Sequence, residues 1–166
     1  MIFKFVIKNG DDFIMSKVLI IGCGGVAGVA IQKCCQHSDV FEEICIASRT
    51  KSKCDALKEK LEGKTDTKIT TEQVDADNVQ ELVALIKKVQ PDLVMNIALP
   101  YQDLTIMDAC LECGVNYMDT ANYEPEDITD PEWRSVYDKR CRRRASPLTS
   151  ITHGSGHIRK SLKNQV

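Results

Sequence analysis

Three glycines lie within four residues directly after a short apolar run, in the segment Lys17-Val-Leu-Ile-Ile-Gly-Cys-Gly-Gly-Val-Ala-Gly28. Without a side chain, glycine lets backbone N–H groups approach a phosphate closely, and the positive end of a following helix favours an anion. Gly22 would permit the tight turn, Gly24 the approach of the phosphate, and Gly25 or Ala27 the close packing of helix on strand. The segment therefore predicts a pyrophosphate-binding turn.

The spacing of the glycines fits two patterns. Gly22-x-Gly24-x-x-Ala27 fits the dinucleotide fingerprint, whereas Gly22-x-x-Gly25-x-x-Gly28 fits the pattern of extended short-chain dehydrogenases. Those enzymes also need a Tyr-x-x-x-Lys pair, in which the lysine lowers the pKa of the tyrosine so that it can act as an acid or base. None of the four tyrosines has a lysine four positions on, so the short-chain class is disfavoured.

The residues after the second apolar run indicate which nucleotide the site would prefer. A carboxylate at this position would accept hydrogen bonds from the ribose hydroxyls but would repel a 2′-phosphate. Here Ser48, Arg49 and Thr50 occupy the position, and no carboxylate follows until Asp55. The planar fork of Arg49 can hold a phosphate, with the two hydroxyls as further donors, so NADP(H) is the predicted cofactor. In the alternative interpretation, Arg49 is an ordinary solvated side chain at the start of a helix.

Apolar runs and helical periodicities alternate along the chain, which predicts an α/β fold with five strands and four helices. The predicted strands are Lys17–Ile21, Glu43–Ala47, Lys68–Val74, Asp92–Ala98 and Val115–Asp119. The predicted helices are Val26–Cys35, Lys51–Leu61, a segment that starts with Asp77 and Gln80 as a capping box and stops at Pro91, and Asp103–Cys113. The first helix is expected to bury a stripe made of Val26, Val29, Ala30 and Cys34.

This alternation predicts a Rossmann-type doubly wound parallel sheet with the strand order 3-2-1-4-5 and no evident sixth strand. The third strand is more polar and is expected at the sheet edge. In such sheets ligands bind beyond the carboxyl ends of the strands, at the switch between strands one and four. We therefore expect residues 22–28, 48–51, 75–77 and 98–100 to surround one crevice.

Composition and charge divide the chain into three segments. The 166 residues are 43% hydrophobic, which fits one domain, and no apolar run or leader indicates a membrane span or secretion, so the predicted location is the cytoplasm. We interpret residues 1–14 as an appendage before a second possible start at Met15, and residues 15–138 as the nucleotide-binding domain. Residues 139–166 hold eight basic and no acidic residues and are predicted to be a disordered tail. The tail lacks aromatic residues for base stacking, which disfavours nucleic-acid binding.

The eight cysteines lie mostly in apolar-periodic segments, which predicts reduced core thiols rather than a disulfide framework. Cys110 and Cys113 form a single C-x-x-C with no second pair, so two thiols on a helix are favoured over a metal or redox site. His153 and His157 lack a third ligand nearby. No metal site is predicted.

Five segments together resemble the amino-terminal part of the saccharopine dehydrogenase-like family, and its carboxynorspermidine synthase branch in particular. They are Ile-Gly-Cys-Gly-Gly-Val-Ala-Gly, Ile-Ala-Ser-Arg-Thr-Lys-Ser-Lys-Cys, Val-Asp-Ala-Asp-Asn, Asn-Ile-Ala-Leu-Pro-Tyr-Gln-Asp and Tyr-Met-Asp-Thr-Ala-Asn-Tyr-Glu-Pro. The resemblance covers residues 15 to about 136. It implies an NADPH-dependent oxidoreductase that condenses aspartate β-semialdehyde with a diamine in polyamine biosynthesis.

The resemblance also implies roles for individual residues. Those implied at the pyrophosphate are Gly22, Gly24, Gly25, Val26 and Ala27. Those implied at the 2′-phosphate are Ser48, Arg49 and Thr50, with Asp75 and Ala76 by the adenine. Those implied along the ribose and nicotinamide are Ala98, Leu99 and Pro100, while Asn122 and Tyr123 would border the substrate.

Members of the family continue into a large substrate and dimerisation domain, which has no counterpart after Asp138. The expectation is therefore a chain shortened by a truncated gene or a broken reading frame, with cofactor binding but little turnover and with no catalytic residue assigned. The small-molecule substrates and the homodimer belong to the intact family. The alternative function is a non-catalytic NADP-binding or interaction module.

Overall fold

A computed structural model of the chain describes residues 17–120. The predictions for residues 1–14, for the tail at 139–166 and for Asn122, Tyr123 and the two tail histidines lie outside the described residues. Within the described range, five parallel strands form one sheet in the order β3-β2-β1-β4-β5, which confirms the predicted topology.

The elements alternate along the chain as the sequence predicts. The strands are β1 (Lys17–Ile21), β2 (Glu43–Ser48), β3 (Lys68–Gln73), β4 (Leu93–Asn96) and β5 (Asn116–Asp119). The helices are α1 (Gly25–Cys35), α2 (Lys51–Leu61), α3 (Val79–Val89) and α4 (Asp103–Cys113), and a short 3₁₀ helix, Pro100–Gln102, precedes α4.

The central strands are apolar because they are covered on both faces. The four residues from Val18 to Ile21 are at most 1% exposed, and the side chains alternate between two cores. On one face β1 packs with α1 and α2, and on the other it packs with α3 and α4. In β3 only Ile69 is buried, in agreement with the predicted edge position.

The predicted buried stripe of α1 is wrong for its two valines. Val26 is 71% and Val29 is 61% exposed, whereas the buried residues of α1 are Ala27, Ile31, Cys34 and Cys35. These positions follow the helical repeat from Ala27, one residue later than the predicted start. Ala27 packs against the sheet at the start of α1. Because α1 begins directly after the glycine turn with Ala27 on its buried face, the neighbouring Val26 faces away from the sheet.

The start of α3 also differs from the prediction, because Asn78 rather than Asp77 is the N-cap. The Asn78 Oδ1 accepts hydrogen bonds from the backbone N–H groups of Gln80 at 3.0 Å and Glu81 at 3.3 Å. In return, Glu81 accepts a bond from the Asn78 side chain at 3.1 Å and another from the Asp75 backbone N–H at 3.1 Å. The capping box is therefore shifted by one residue, since Asp77 is taken up by a tertiary contact with Gln102.

Replacing the cap tests this assignment. Asn78→Ala removes the acceptor for two N–H groups of the first turn, so we expect the free energy of unfolding to fall by about 1 kcal/mol. Gln80→Ala is the matched control, because only the backbone of Gln80 takes part in the cap. Equal midpoints for the two variants in urea unfolding would contradict the assignment.

Candidate functional site

The carboxyl ends of β1, β2, β4 and β5 surround a crevice of about 490 Å³, at the predicted switch point of the sheet. Its lining includes eleven of the residues predicted for the nucleotide. The lining residues are Ile21, Gly22, Cys23, Gly24, Gly25, Val26, Ala27, Ser48, Arg49, Thr50, Lys53, Val74, Ala76, Ile97, Ala98, Leu99, Gln102 and Thr120.

Gly22 joins the backbone segments that form the floor of the crevice. Its φ of +121° is a conformation that residues with a side chain rarely adopt, and its N–H donates to the Ala47 carbonyl at 2.9 Å. A Cβ at this position would lie 2.4 Å from the Ile97 carbonyl oxygen. The backbones that follow β1 and β4 therefore touch at this residue, and only glycine fits between them.

The amino end of α1 opens onto the crevice without a capping side chain. Gly24 is the N-cap, the first turn holds no acidic residue, and a Cβ built on Gly24 or Gly25 would meet no atom within 4 Å. The first N–H groups of a helix have no partner inside the helix, and they favour an anion. The space and the donors thus fit a pyrophosphate.

The side of the crevice next to β2 carries the positive charge. Arg49 and Lys53 line it, and no acidic side chain does so within residues 17–120. Thr50 is the N-cap of α2, and its side chain makes no cap hydrogen bond, so the hydroxyl is free for a ligand. Ser48 is already engaged, since its hydroxyl donates to the Thr50 carbonyl at 3.1 Å and lies 3.1 Å from the Cys54 sulfur.

The first carboxylate after β2 is turned away from the crevice. Asp55 accepts hydrogen bonds from the hydroxyl of Thr71 and from the ammonium of Lys51, the latter at 2.9 Å. These bonds hold the pKa of Asp55 below its ordinary value. Asp55 is therefore an ionised partner of Lys51 and not a competitor for a phosphate near Arg49.

Among the predicted residues, Asp75 does not line the crevice. The Asp75 side chain accepts a hydrogen bond from the Asp77 N–H at 3.1 Å, while the neighbouring Ala76 lines the crevice. Pro100 begins the 3₁₀ helix immediately after Leu99. The roles assigned to these residues from the resemblance stay predictions.

Seven lining residues had no cofactor role assigned from the sequence: Ile21, Cys23, Lys53, Val74, Ile97, Gln102 and Thr120. Lys53 lies in the first turn of α2, three residues after Thr50. Residues at this spacing lie on the same face of a helix, so the sequence could have indicated that Lys53 lies near Thr50. Gln102 is buried and donates to Asp77 at 2.9 Å, a contact that joins residues 25 positions apart. Burial beside Cys54 raises the pKa of Cys23 to about 11, so this thiol stays protonated and is a poor nucleophile.

The seven cysteines between residues 17 and 120 are free thiols, and five of them are buried, as the prediction of core thiols expects. Cys110 is fully buried in α4, and burial raises the pKa of its thiol. Between residues 17 and 120, no group of three histidine, cysteine or carboxylate side chains could hold a metal ion. The same part of the chain contains no helix long and apolar enough to span a membrane.

The family model of the saccharopine dehydrogenase NADP-binding domain matches residues 18–145. The chain belongs to this family. A nicotinamide cofactor is therefore the ligand class of this family's domain, and the uncapped helix end and glycine turn of the crevice fit a dinucleotide.

Two longer relatives are similar in sequence to this chain. The carboxyaminopropylagmatine dehydrogenase of Synechocystis is 46% identical over 125 residues, which are 74% of this chain and 30% of that protein. The carboxynorspermidine synthase of Vibrio alginolyticus is 45% identical over 109 residues, which are 63% of this chain and 26% of that protein. The chain thus spans less than a third of the length of these relatives.

A solved structure supports the fold. Saccharopine dehydrogenase from Saccharomyces cerevisiae, in its apo form, superimposes with a TM-score of 0.59 over 83% of this chain and 27% of its own, at 14% identity. At this identity the likeness is one of fold, and it agrees with the Rossmann-like sheet described above.

The contact at Gly22 gives a sharp test of the crevice. Gly22→Ala forces a side chain into a left-handed backbone conformation and against a carbonyl, so we expect the free energy of unfolding to fall by about 3 kcal/mol or more. Gly28→Ala is the matched control, because it lies within α1 with open space around its Cβ and should be neutral or mildly stabilising. Thermal unfolding of both variants tests the contact. An unchanged melting temperature for Gly22→Ala would show that the backbones after β1 and β4 do not meet at Gly22.

Proposed function

We propose that residues 15–138 form the NADP(H)-binding domain of an oxidoreductase of the saccharopine dehydrogenase-like family, with residues 1–14 and 139–166 as appendages. The observation that carries the proposal is the charge of the crevice. Two cationic side chains and no carboxylate line it in the described range, directly after β2, where NAD-specific sites place an acidic residue.

The 2′-phosphate is proposed to bind between Arg49, Thr50 and Lys53. The guanidinium can donate two parallel hydrogen bonds, the Thr50 hydroxyl is free, and Lys53 adds a second positive charge from the first turn of α2. Each charge-assisted hydrogen bond of this kind contributes about 1.5–3 kcal/mol. Ser48 supports the site by holding the Thr50 backbone rather than by direct contact.

The other parts of the cofactor would follow the crevice. The pyrophosphate is proposed to lie on the N–H groups of Gly24, Gly25 and Val26, with Ala27 holding the helix close to the sheet. The adenine would lie beside Ala76, near Asp75. The remaining ribose and the nicotinamide would lie along Ala98, Leu99 and Pro100.

The reaction we propose for the whole enzyme is the reductive condensation of an aldehyde, aspartate β-semialdehyde, with an amine. The bound cofactor supplies a hydride to the imine carbon. The names of the relatives contain norspermidine and agmatine, so the amine is either a diamine or its guanidino analogue. In this domain the residues hold and orient the cofactor, while recognition of the amine is assigned to the part of the relatives that this chain does not cover. The homodimer and the cytoplasmic location belong to the same proposal.

Titration calorimetry of the purified chain with NADPH and NADH tests the cofactor preference. We expect NADPH to bind more tightly, and we expect Arg49→Ala to remove most of that preference, a loss of about tenfold to hundredfold in NADPH affinity. Lys53→Ala should weaken NADPH binding by a smaller factor, and neither variant should change the affinity for NADH.

Lys60→Ala is the control for the loss of a positive charge, because Lys60 is exposed in the last turn of the same helix and does not line the crevice. The preference for the phosphorylated cofactor should survive in this variant. If Lys60→Ala and Arg49→Ala weaken NADPH binding equally, the effect is one of net charge and the proposed 2′-phosphate site is wrong.

A further inference from the structure

Four polar side chains are buried together directly behind the crevice wall. Asn96 ends β4, Asp103 begins α4, and Tyr117 and Asp119 lie on β5, and each of the four is at most 2% exposed. Burial of so much polarity costs free energy unless the groups bond to one another. Their arrangement therefore indicates a specific role.

Asn96 connects the group to the crevice. Its side-chain amide donates to the Asp103 carboxylate at 2.6 Å and to the Tyr117 hydroxyl at 3.1 Å. Its carbonyl oxygen accepts a hydrogen bond from the backbone N–H of Ala98 at 2.9 Å. Because Ala98 lines the crevice, one amide side chain links the buried carboxylates to the wall along which the cofactor is proposed to lie.

The two carboxyl groups are left with unpaired oxygens. In the described residues, Asp103 Oδ2 and both oxygens of Asp119 have no hydrogen-bond partner. The Tyr117 hydroxyl lies near Asp119 and opposes the rise of its pKa, without the geometry of a hydrogen bond. Two buried carboxylates cannot both stay ionised at low cost, so burial favours the protonated form of each carboxyl group.

Within residues 17–120, the elements around the two carboxyl groups provide no paired positive charge. The face of α3 against α4 is made of buried aliphatic side chains, and its Lys87 pairs with Glu112 at the other end of α4. On the loop before α3, the Asp77 carboxylate accepts a hydrogen bond from Gln102, the residue that precedes Asp103 in sequence. Cys110, further along α4, is a neutral buried thiol. No ion pair between residues 17 and 120 includes Asp103 or Asp119.

We propose that Asn96, Asp103, Tyr117 and Asp119 form a proton-binding cluster that positions the crevice wall at residues 97–99, so that loss of its protons loosens the wall and weakens cofactor binding. These are positioning residues, since none of them lines the crevice. The binding part of this inference rests on the proposed function, whereas the protonation of the cluster does not.

The sign of the pH dependence follows from the two acids. Burial, together with the charge of Asp119, raises the pKa of Asp103 to about 8, and burial raises that of Asp119 to about 7. Both values are above the value of an unfolded chain, so the folded state holds more protons than the unfolded state over this range. The stability that these groups contribute is present at acid pH and declines as the pH rises towards about 8.

The experiment uses the full chain and compares it with Asp119→Asn, in which a neutral amide of the same shape replaces the carboxyl group at every pH. Urea unfolding and NADPH affinity are measured from about pH 6 to about pH 9, and we expect the NADPH dissociation constant of the wild type to rise by about tenfold relative to the variant. Comparison with the variant removes the titration of the cofactor's own phosphate. Glu112→Gln is the control for loss of a carboxylate from α4, and it should keep the pH dependence of the wild type.

A second measurement does not depend on a variant. Carbon-13 NMR of the aspartate carboxyl groups in the wild type should show titration between about pH 6 and about pH 9, far above the range of an exposed aspartate. If every described aspartate titrates below about pH 5, or if Asp119→Asn keeps the full pH dependence of unfolding, the proton-binding cluster is disproved. If the wild type binds no NADPH at any pH, the proposed function and the binding part of the inference fail. The NMR and unfolding data would still test whether the cluster is protonated. If binding occurs with the same pH dependence in wild type and Asp119→Asn, only the inference fails.

Discussion

The close contact between Gly22 and the Ile97 carbonyl is the constraint on which the rest of the crevice depends. It joins the turn after β1 to the turn after β4, and the backbone bond from Gly22 to Ala47 joins the same turn to β2. Three neighbouring strands are therefore locked at their carboxyl ends by one residue without a side chain. The glycine turn, the basic segment and the apolar wall meet in one place because of this lock.

The helices divide according to how their amino ends are satisfied. Those of α1 and α2 face the crevice, and no side chain caps either of them. The amino end of α3 is capped by Asn78, whose side chain also donates a hydrogen bond to Glu81. An uncapped helix end retains free N–H donors and a partial positive charge, which are the features that an anionic cofactor needs. No side chain caps α4 either, and it follows Gln102 of the crevice lining. The uncapped ends of α1 and α2 are those at which phosphates are proposed to bind.

Sequence periodicity predicted the elements well, because a strand covered on both faces must be apolar and a glycine or proline ends a helix for local reasons. The predictions are wrong where contacts between residues distant in sequence determine which side chain is buried or capped. Val26 and Val29 are apolar and at helical spacing, yet the entry angle of α1 from the glycine turn faces them outwards. Asp77 looks like a cap in sequence, but Gln102 binds its carboxylate. Lys53 belongs to a basic segment, and only the fold of α2 shows that it lines the crevice.

The sequence by itself determined the parallel sheet and its order, the glycine turn and the absence of a carboxylate after β2, because these follow from residue types at short spacing. Only the tertiary structure decided which side chains line the crevice, and that Asn96, Asp103, Tyr117 and Asp119 share one buried space. Those four residues come from three elements, and nothing in their local sequences distinguishes a buried carboxyl from an exposed one. Burial depends on what the whole chain packs around a residue, and that information is not local.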